Sequence, residues 1–356
     1  MKYKETLFFV AKCLTISHEE KNLNIISKLI KSKTVDWDSV VKLSTAHYVF
    51  PALYCNLKRA ALLDDIPKEL VNYMKHITEL NRDRNLKIIE QAKEINELLV
   101  SNNITPIFLK GTANLLQGLY GDIAERMVGD IDLIVSENEY DHAISLLKQD
   151  GYYNKPHLLD NEKFGKHYPR MSHKTKIAAV EVHFRMIKTP YNRCFNYTTI
   201  KDSVLALKDD ISILCYDHQV LHTNFNKQTN DFGYWHKTIS LRNCYDLFLL
   251  SKKTNTLEAI KSVGQYFTIL NTFLASCNYV FNAVSSIKFI NDQKAINYVN
   301  QQIELLDAPK KLKWNIKKWT FYFDNKIRLK KLKRAFVSKN MRNHLCNKIF
   351  GFKQDS

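Results

Sequence analysis

C-x-x-C cysteine pairs and long apolar runs are absent from this sequence, and acids are scarce from Lys310 onward. Its seven cysteines, Cys13, Cys55, Cys194, Cys215, Cys244, Cys277 and Cys346, include no C-x-x-C pair. Neither a zinc site nor a disulfide framework is indicated, and the expected compartment is reducing. The longest uncharged stretch, Ser262 to Ile287, is broken by Asn271, Ser276, Asn278, Asn282 and Ser285. It is too polar for a membrane span and reads as buried helices. The start, Met1-Lys2-Tyr3-Lys4-Glu5, lacks the apolar core of a secretory signal. A cytoplasmic location is therefore expected. No repeat or low-complexity block interrupts the chain.

What is present is a 356-residue chain with 45% hydrophobic residues, the composition of a globular protein with one large or two modest cores. The net charge of +17 is unevenly placed: from Lys310 to Lys353 fifteen Lys or Arg face one acid, Asp324, a net of +14 that leaves +3 for everything else. This tail interleaves Trp314, Trp319, Phe321, Tyr322, Phe323 and Phe336 with its lysines. Such a segment can bind nucleic acid through phosphate contacts and stacking, or lie on an anionic membrane surface. Equally, it can form an amphipathic helical pair whose aromatics face the core and whose lysines face water.

Periodicity divides the chain into a helical region 1–101, a mixed core 102–190, a helical region 191–309 and the basic, aromatic helical tail 310–356. In the first region Asp38 is placed to cap a helix, and a long helix from about 68 to 101 carries Leu80, Leu86, Ile89, Ile95, Leu98 and Leu99 near helical spacing. Ile104 to Leu109 then reads as a strand, followed by Lys110-Gly111-Thr112, a turn in which glycine lets a ligand approach the backbone. A helix is expected from there to Gly121. Ser136 and Glu139 form a capping box for another helix, Lys176 to Phe184 reads as a strand, and from about 201 onward the pattern is helical.

The central feature is Gly129-Asp130-Ile131-Asp132-Leu133-Ile134-Val135. On a strand Asp130 and Asp132 point to one face, and two carboxylates side by side in so apolar a run demand a cation. The same spacing in Asp36-Trp37-Asp38 and Glu137-Asn138-Glu139 reads as solvated helix starts. Glu181, on the later strand, shares a face with His183, which could bind phosphate, orient Glu181 or serve as a structural histidine. Three carboxylates on neighbouring strands can hold two Mg²⁺ ions for in-line phosphoryl displacement. Arg126, on the loop before the acidic strand, and Lys110 suit triphosphate binding. His218 and His222 lack a third zinc ligand and, like His47, read as packing residues.

Leu109-Lys110-Gly111, Arg126, Asp130-Ile131-Asp132-Leu133-Ile134-Val135 and Glu181-Val182-His183-Phe184 together resemble an uncharacterised bacterial nucleotidyltransferase family of the DNA polymerase β-like superfamily. The likeness extends to Asp36-Trp37, to His47 through Tyr54, and to Asp217-His218…His222…Leu241-Arg242…Asp246. It implies an α+β fold: a polymerase β-like nucleotidyltransferase core, a small mixed sheet with helices, flanked by helical N- and C-terminal regions. It further implies Gly111 and Thr112 in the nucleotide-binding turn, Asp130 and Asp132 as metal ligands and Glu181 as the third catalytic acid and metal ligand. Lys110 and Arg126 join the nucleotide site on their own chemistry, the other readings being a strand-end lysine and an arginine paired locally with Asp122 or Glu125. Gly111-Thr112 stands where the superfamily commonly has Gly-Ser, and the gap from Gly111 to Asp130 is long for it. The activity implied is Mg²⁺-dependent transfer of a nucleoside monophosphate from NTP to an acceptor, whether small molecule, protein or RNA, with release of pyrophosphate. The rival readings are an inactive relative that binds nucleic acid through the tail, and an RNA- or tRNA-modifying toxin.

Overall fold

A computed structural model describes residues 1–154 and 165–350. Five helices come first: Tyr3–Cys13 (α1), Glu20–Lys31 (α2), Trp37–Ala46 (α3), Phe50–Arg59 (α4) and Lys68–Val100 (α5). Asp36, rather than the expected Asp38, caps α3, because its carboxylate accepts from the Ser39 N–H at 3.1 Å. Strand β1 (Ile107–Phe108), helix α6 (Lys110–Leu116), strand β2 (Asp130–Ile134), helix α7 (Tyr140–Gln149) and strand β3 (Ala179–His183) follow. Helix α6 is shorter than expected, since Gly118 at φ +66° turns the chain before Gly121. Ser136 and Glu139 do not form the expected capping box: the Ser136 hydroxyl donates to the Glu139 carboxylate at 2.6 Å in the turn ahead of α7, and Glu139 is itself the N-cap, with no side-chain cap bond.

The region from 201 departs from its helical expectation. After α8 (Tyr197–Ile200), Val204–Ala206 (β4) and Ser212–Leu214 (β5) form an antiparallel hairpin. Its turn uses Asp209 and Asp210 at φ +62° and +52°, a left-handed conformation that acidic residues tolerate better than most. Five strands therefore make one mixed sheet in the order β3-β2-β1-β5-β4, with β2–β3 and β1–β5 parallel and the other pairs antiparallel. The remaining helices are α9 (Tyr216–Phe225), α10 (Gly233–His236), α11 (Leu241–Leu250), α12 (Thr256–Lys261), α13 (Phe267–Val280), α14 (Gln293–Asp307), α15 (Pro309–Ala335) and α16 (Lys339–Phe350). Among the described residues no helix is long and apolar enough to cross a membrane.

Helix α5 contains no glycine or proline and runs unbroken for 33 residues. Of its expected apolar stripe Ile95 and Leu99 are buried, but Leu80 and Leu86 are exposed, and Asn81, Asn85, Gln91 and Asn96 share the buried face with Met74, Ile88 and Ala92. These amides face the backbone of other elements. Asn81 Nδ2 donates to the Ala124 carbonyl at 2.7 Å, and Asn85 Nδ2 to those of Ile123 and Arg126 at 2.6 and 2.8 Å. Gln91 exchanges two hydrogen bonds with the backbone of Ala178 at 2.8 and 3.0 Å, and Asn96 donates to Asp209 O at 3.0 Å. Loop carbonyls that would otherwise be buried without donors are satisfied, and the segments entering β2 and β3 are fixed to one rigid rod.

Asn85→Leu keeps the side chain's bulk but removes the donor to the Ile123 carbonyl and one of two donors to that of Arg126, which keeps Asn81 at 3.2 Å. Leaving a buried acceptor unpaired costs about 2 kcal/mol. Urea unfolding should show that loss; a change below about 0.5 kcal/mol would mean that the loop does not depend on α5.

Candidate active site

The parallel register of β2 and β3 sets Asp132 opposite Glu181, and Ile134 opposite His183. On the other face, Ile131, Leu133, Val180 and Val182 are fully buried, which locks the register, because a one-residue slip would exchange the two faces. Asp132 Oδ1, Glu181 Oε2 and His183 Nε2 lie within 4.8 Å of one another. His183 Nε2 is 2.9 Å from Asp132 Oδ1 and 3.7 Å from Glu181 Oε2. Its Nδ1 faces the Arg185 carbonyl at 3.2 Å and its Nε2 the Asp132 carboxylate, both groups that only accept, so an ion held by the acids would take the place of the Nε2 proton. That is the orientation in which a histidine serves as a metal ligand.

The ammonium of Lys110 lies between the two acids, bonded to Asp132 Oδ1 and 3.9 Å from Glu181 Oε2. Lys110 adopts φ +54°, in the left-handed region that non-glycine residues seldom occupy, and so stores backbone strain where its side chain meets the site. Burial acts to raise the Asp132 carboxyl, but Lys110 and His183 outweigh it and hold the group well below the usual carboxylate range. Burial likewise pulls the Lys110 ammonium down, and Asp132 more than offsets this, leaving it above its ordinary value.

Asp130 is in register with Ala179 and is not part of this trio. It pairs with Arg170, is more open than Asp132, and has its carboxyl raised chiefly by burial against the opposing pull of Arg170. Arg170 belongs to a segment that sequence reasoning passed over as polar and basic. Residues around 167–172 run antiparallel along the free edge of β3: Tyr168 N donates to Val182 O at 2.8 Å and Met171 N to Val180 O at 3.0 Å. The pairing brings His167 Nε2 to 3.6 Å from Glu181 Oε2 and sets Lys166 beside Lys110. Burial, then the neighbouring Lys110, lowers the Lys166 ammonium to about 8. The signal available was the burial of Tyr168 and Met171, three apart among charged residues, which marks a segment lying against the fold.

The glycine turn meets protein side chains. A Cβ on Gly111 would come within 2.9 Å of Val128, so glycine is required for this loop to close. Thr112 is buried, and its hydroxyl donates to the Asp130 carbonyl at 3.0 Å, tying α6 to the acidic strand. Arg126 is buried with Asp246 of α11: Nε lies 3.1 Å from both carboxylate oxygens, Nη2 3.0 Å from Oδ2, and Nη1 donates to Met127 O at 2.8 Å. Tyr120 also donates to Asp246, at 2.7 Å.

A cavity of about 180 Å³ opens beside this pair, lined by Lys110, Arg126, Lys166, His222, Arg242 and Asp246 among others. Arg242 Nε and His222 Nε2 are buried there without a hydrogen-bond partner among the described residues. Burial first, then Lys110 and Lys166, pushes the His222 imidazole well below its ordinary value. Asp246 pairs with Arg126 and Asp132 with Lys110, and Asp231 also lines the cavity, so Lys166 and Arg242 are the cations left without a bonded acid there. His222, read from sequence as a packing residue, is part of its wall.

Residues 33–265 match a family described as an uncharacterised nucleotidyltransferase. No curated protein and no solved structure matches.

Removing one member of the Arg126–Asp246 pair strands a buried charge. Arg126→Met should therefore cost about 3–5 kcal/mol in denaturant unfolding, whereas Arg126→Met with Asp246→Leu should recover much of the loss. Equal costs for the single and double variants would show that the pair does not act as a unit.

Proposed function

The chain belongs to the uncharacterised nucleotidyltransferase family, and from that premise we propose that it transfers a nucleoside monophosphate from NTP to an acceptor, releasing pyrophosphate. The observation that carries this reading is the convergence of Asp132, Glu181 and His183 on Lys110, which is also a wall of the cation-lined cavity. In this reading the sheet β3-β2-β1-β5-β4 with its helices is a polymerase β-like core.

The donor set fits a divalent ion: two carboxylate oxygens and an imidazole nitrogen, buried and convergent, with an ammonium already supplying positive charge between them. Asp132, Glu181 and His183 would hold it, and when bound it would neutralise charge on phosphate oxygens. Mg²⁺ is the ion this reading assigns, since it shares oxygen ligands with phosphates; a nitrogen donor also admits Mn²⁺. A second ion would call on Asp130, released from Arg170.

The chain's own groups account for the rest. Lys110, Lys166 and Arg242 grip the triphosphate in the cavity, while Arg126 acts as a positioning residue that shapes the wall through Asp246. Gly111 and Thr112 hold the nucleotide-facing turn closed against β2. Asp130, open and with its carboxyl raised by burial, takes the proton from the acceptor hydroxyl as its oxygen forms a bond to the α-phosphorus. The bond from that phosphorus to the β-phosphate bridge breaks, and pyrophosphate departs from the cation-lined side.

Incubation with each α-labelled NTP, Mg²⁺ and fractionated cell extract should label an acceptor. Asp132→Asn should reduce the labelling by about 10²-fold or more, the scale of losing a group that stabilises transition-state charge, while thermal unfolding shows the variant folded. Unchanged labelling by that variant, or no labelling in any fraction, would remove the assignment. Lys166 carries charge below its lowered pKa of about 8 and loses it above. NTP affinity measured by calorimetry should accordingly weaken as pH rises through about 8, and Lys166→Gln should bind weakly at every pH; a wild-type profile that stays flat over this interval would take Lys166 out of the phosphate grip.

A further inference from the structure

We propose that the outward face of helix α15 lies on an anionic lipid bilayer. A terminal helix that merely packs on a domain needs one apolar stripe. Helix α15 has two. The inner stripe is covered: Phe323 stacks on Phe232 with ring centroids 4.1 Å apart and meets Trp235 edge-on at 5.0 Å, while Trp319 lies 6.5 Å from Trp235. Asn315 Nδ2 donates to the Trp235 and His236 carbonyls at 3.0 and 3.1 Å, which fixes the rotation of the helix about its axis.

The second stripe is open. Trp314, Phe321, Leu329, Leu332 and Phe336 recur at helical spacing on a face turned away from the inner stripe and shared with Lys318 and Asn325, with Trp314 64%, Phe321 70%, Leu329 59% and Phe336 85% exposed. Tyr322, its ring 5.7 Å from Trp319, lies between the two stripes. From Trp314 to Leu332 the stripe runs about 27 Å at 1.5 Å per residue, a length of exposed apolar surface that monomeric proteins seldom leave bare. Helical geometry places Lys310, Lys317 and Arg328 along one flank and Lys326 and Lys333 along the other, with Lys311 and Lys318 between the apolar side chains themselves. Lysine stems of this kind can lie along apolar surface while their ammonium groups reach headgroup phosphates.

Charge selects the partner. Helix α15 carries eleven Lys or Arg against Asp324 alone, so a second copy of the helix would be repelled and an anionic partner attracted. Leu329 and Leu332 then decide between anions: nucleic-acid binding helices use aromatics for stacking, and an aliphatic side chain offers a base no stacking surface, but it does enter acyl chains. Trp and Tyr at the rim of such a stripe occupy the headgroup level.

Co-sedimentation of the full chain with vesicles tests this. Binding is expected to phosphatidylcholine vesicles containing phosphatidylglycerol and not to phosphatidylcholine alone. Trp314→Glu with Phe321→Glu should weaken it by about tenfold or more, as expected when apolar side chains no longer insert. Brominated lipids should quench Trp314 emission in the unmodified chain, a readout lost in Trp314→Phe and independent of whether the double variant folds. Failure to sediment with anionic vesicles, undiminished binding by a folded double variant, or absence of Trp314 quenching would each overturn the proposal. So would binding of transfer RNA that requires Trp314 and Phe321 while vesicles are not bound.

Discussion

Two carboxylates facing each other across a parallel strand pair cannot share a mostly buried site unless positive charge stands between them. The register that sets Asp132 opposite Glu181 creates this demand, and much of the surrounding fold answers it. Lys110 is held in a left-handed backbone conformation with its ammonium at Asp132, His183 turns Nε2 to the same oxygen, and His167 approaches Glu181 from the β3 edge. The strain at Lys110 is sustained by contacts on both sides, because Leu109 N continues the ladder to Asp132 O at 2.9 Å and Thr112 ties the next turn to Asp130 O. Electrostatics thus explains features that packing alone would not require.

Charge is sorted into two places with different dielectric surroundings. In the cavity, Lys110, Lys166 and Arg242 are crowded, two of them with ionisation disfavoured by burial, so an incoming anion meets cations poorly solvated by water. Along α15 the cations are hydrated and screened by salt, and any attraction there acts over a Debye length rather than through desolvated contacts. The net charge of the chain describes the second population far more than the first.

Local pattern revealed what depends on neighbours in the chain. Period two put Asp130 and Asp132 on one face, and the helices Tyr216–Phe225 and Leu241–Leu250 were visible from spacing. What stayed hidden depends on distant partners. Arg126 finds Asp246 120 residues away, and no local rule distinguishes an arginine awaiting a phosphate from one already paired. The hairpin at 204–214 escapes a reading by pattern because strands three residues long show too little alternation. The basic segment at 165–172 carries sparse apolar periodicity, since it pairs with the sheet at one edge and leaves its charged side chains for the site. On α5 four amides are buried beside Ile88, Ile95 and Leu99, and a search for hydrophobic stripes discards them.

Those amides act as a ruler. Asn81, Asn85, Gln91 and Asn96 read, in turn, the loop before β2, the entry to β3 and the tip of the β4–β5 hairpin along a single rigid rod. One residue inserted between Asn85 and Gln91 would rotate every later amide by about 100° and shift it by about 1.5 Å, breaking the phase between loop and sheet. An inserted residue would leave this phase intact only toward the two ends of the helix. The interval from 81 to 96 behaves as a fixed gauge whose reading sets how the two acidic strands are spaced.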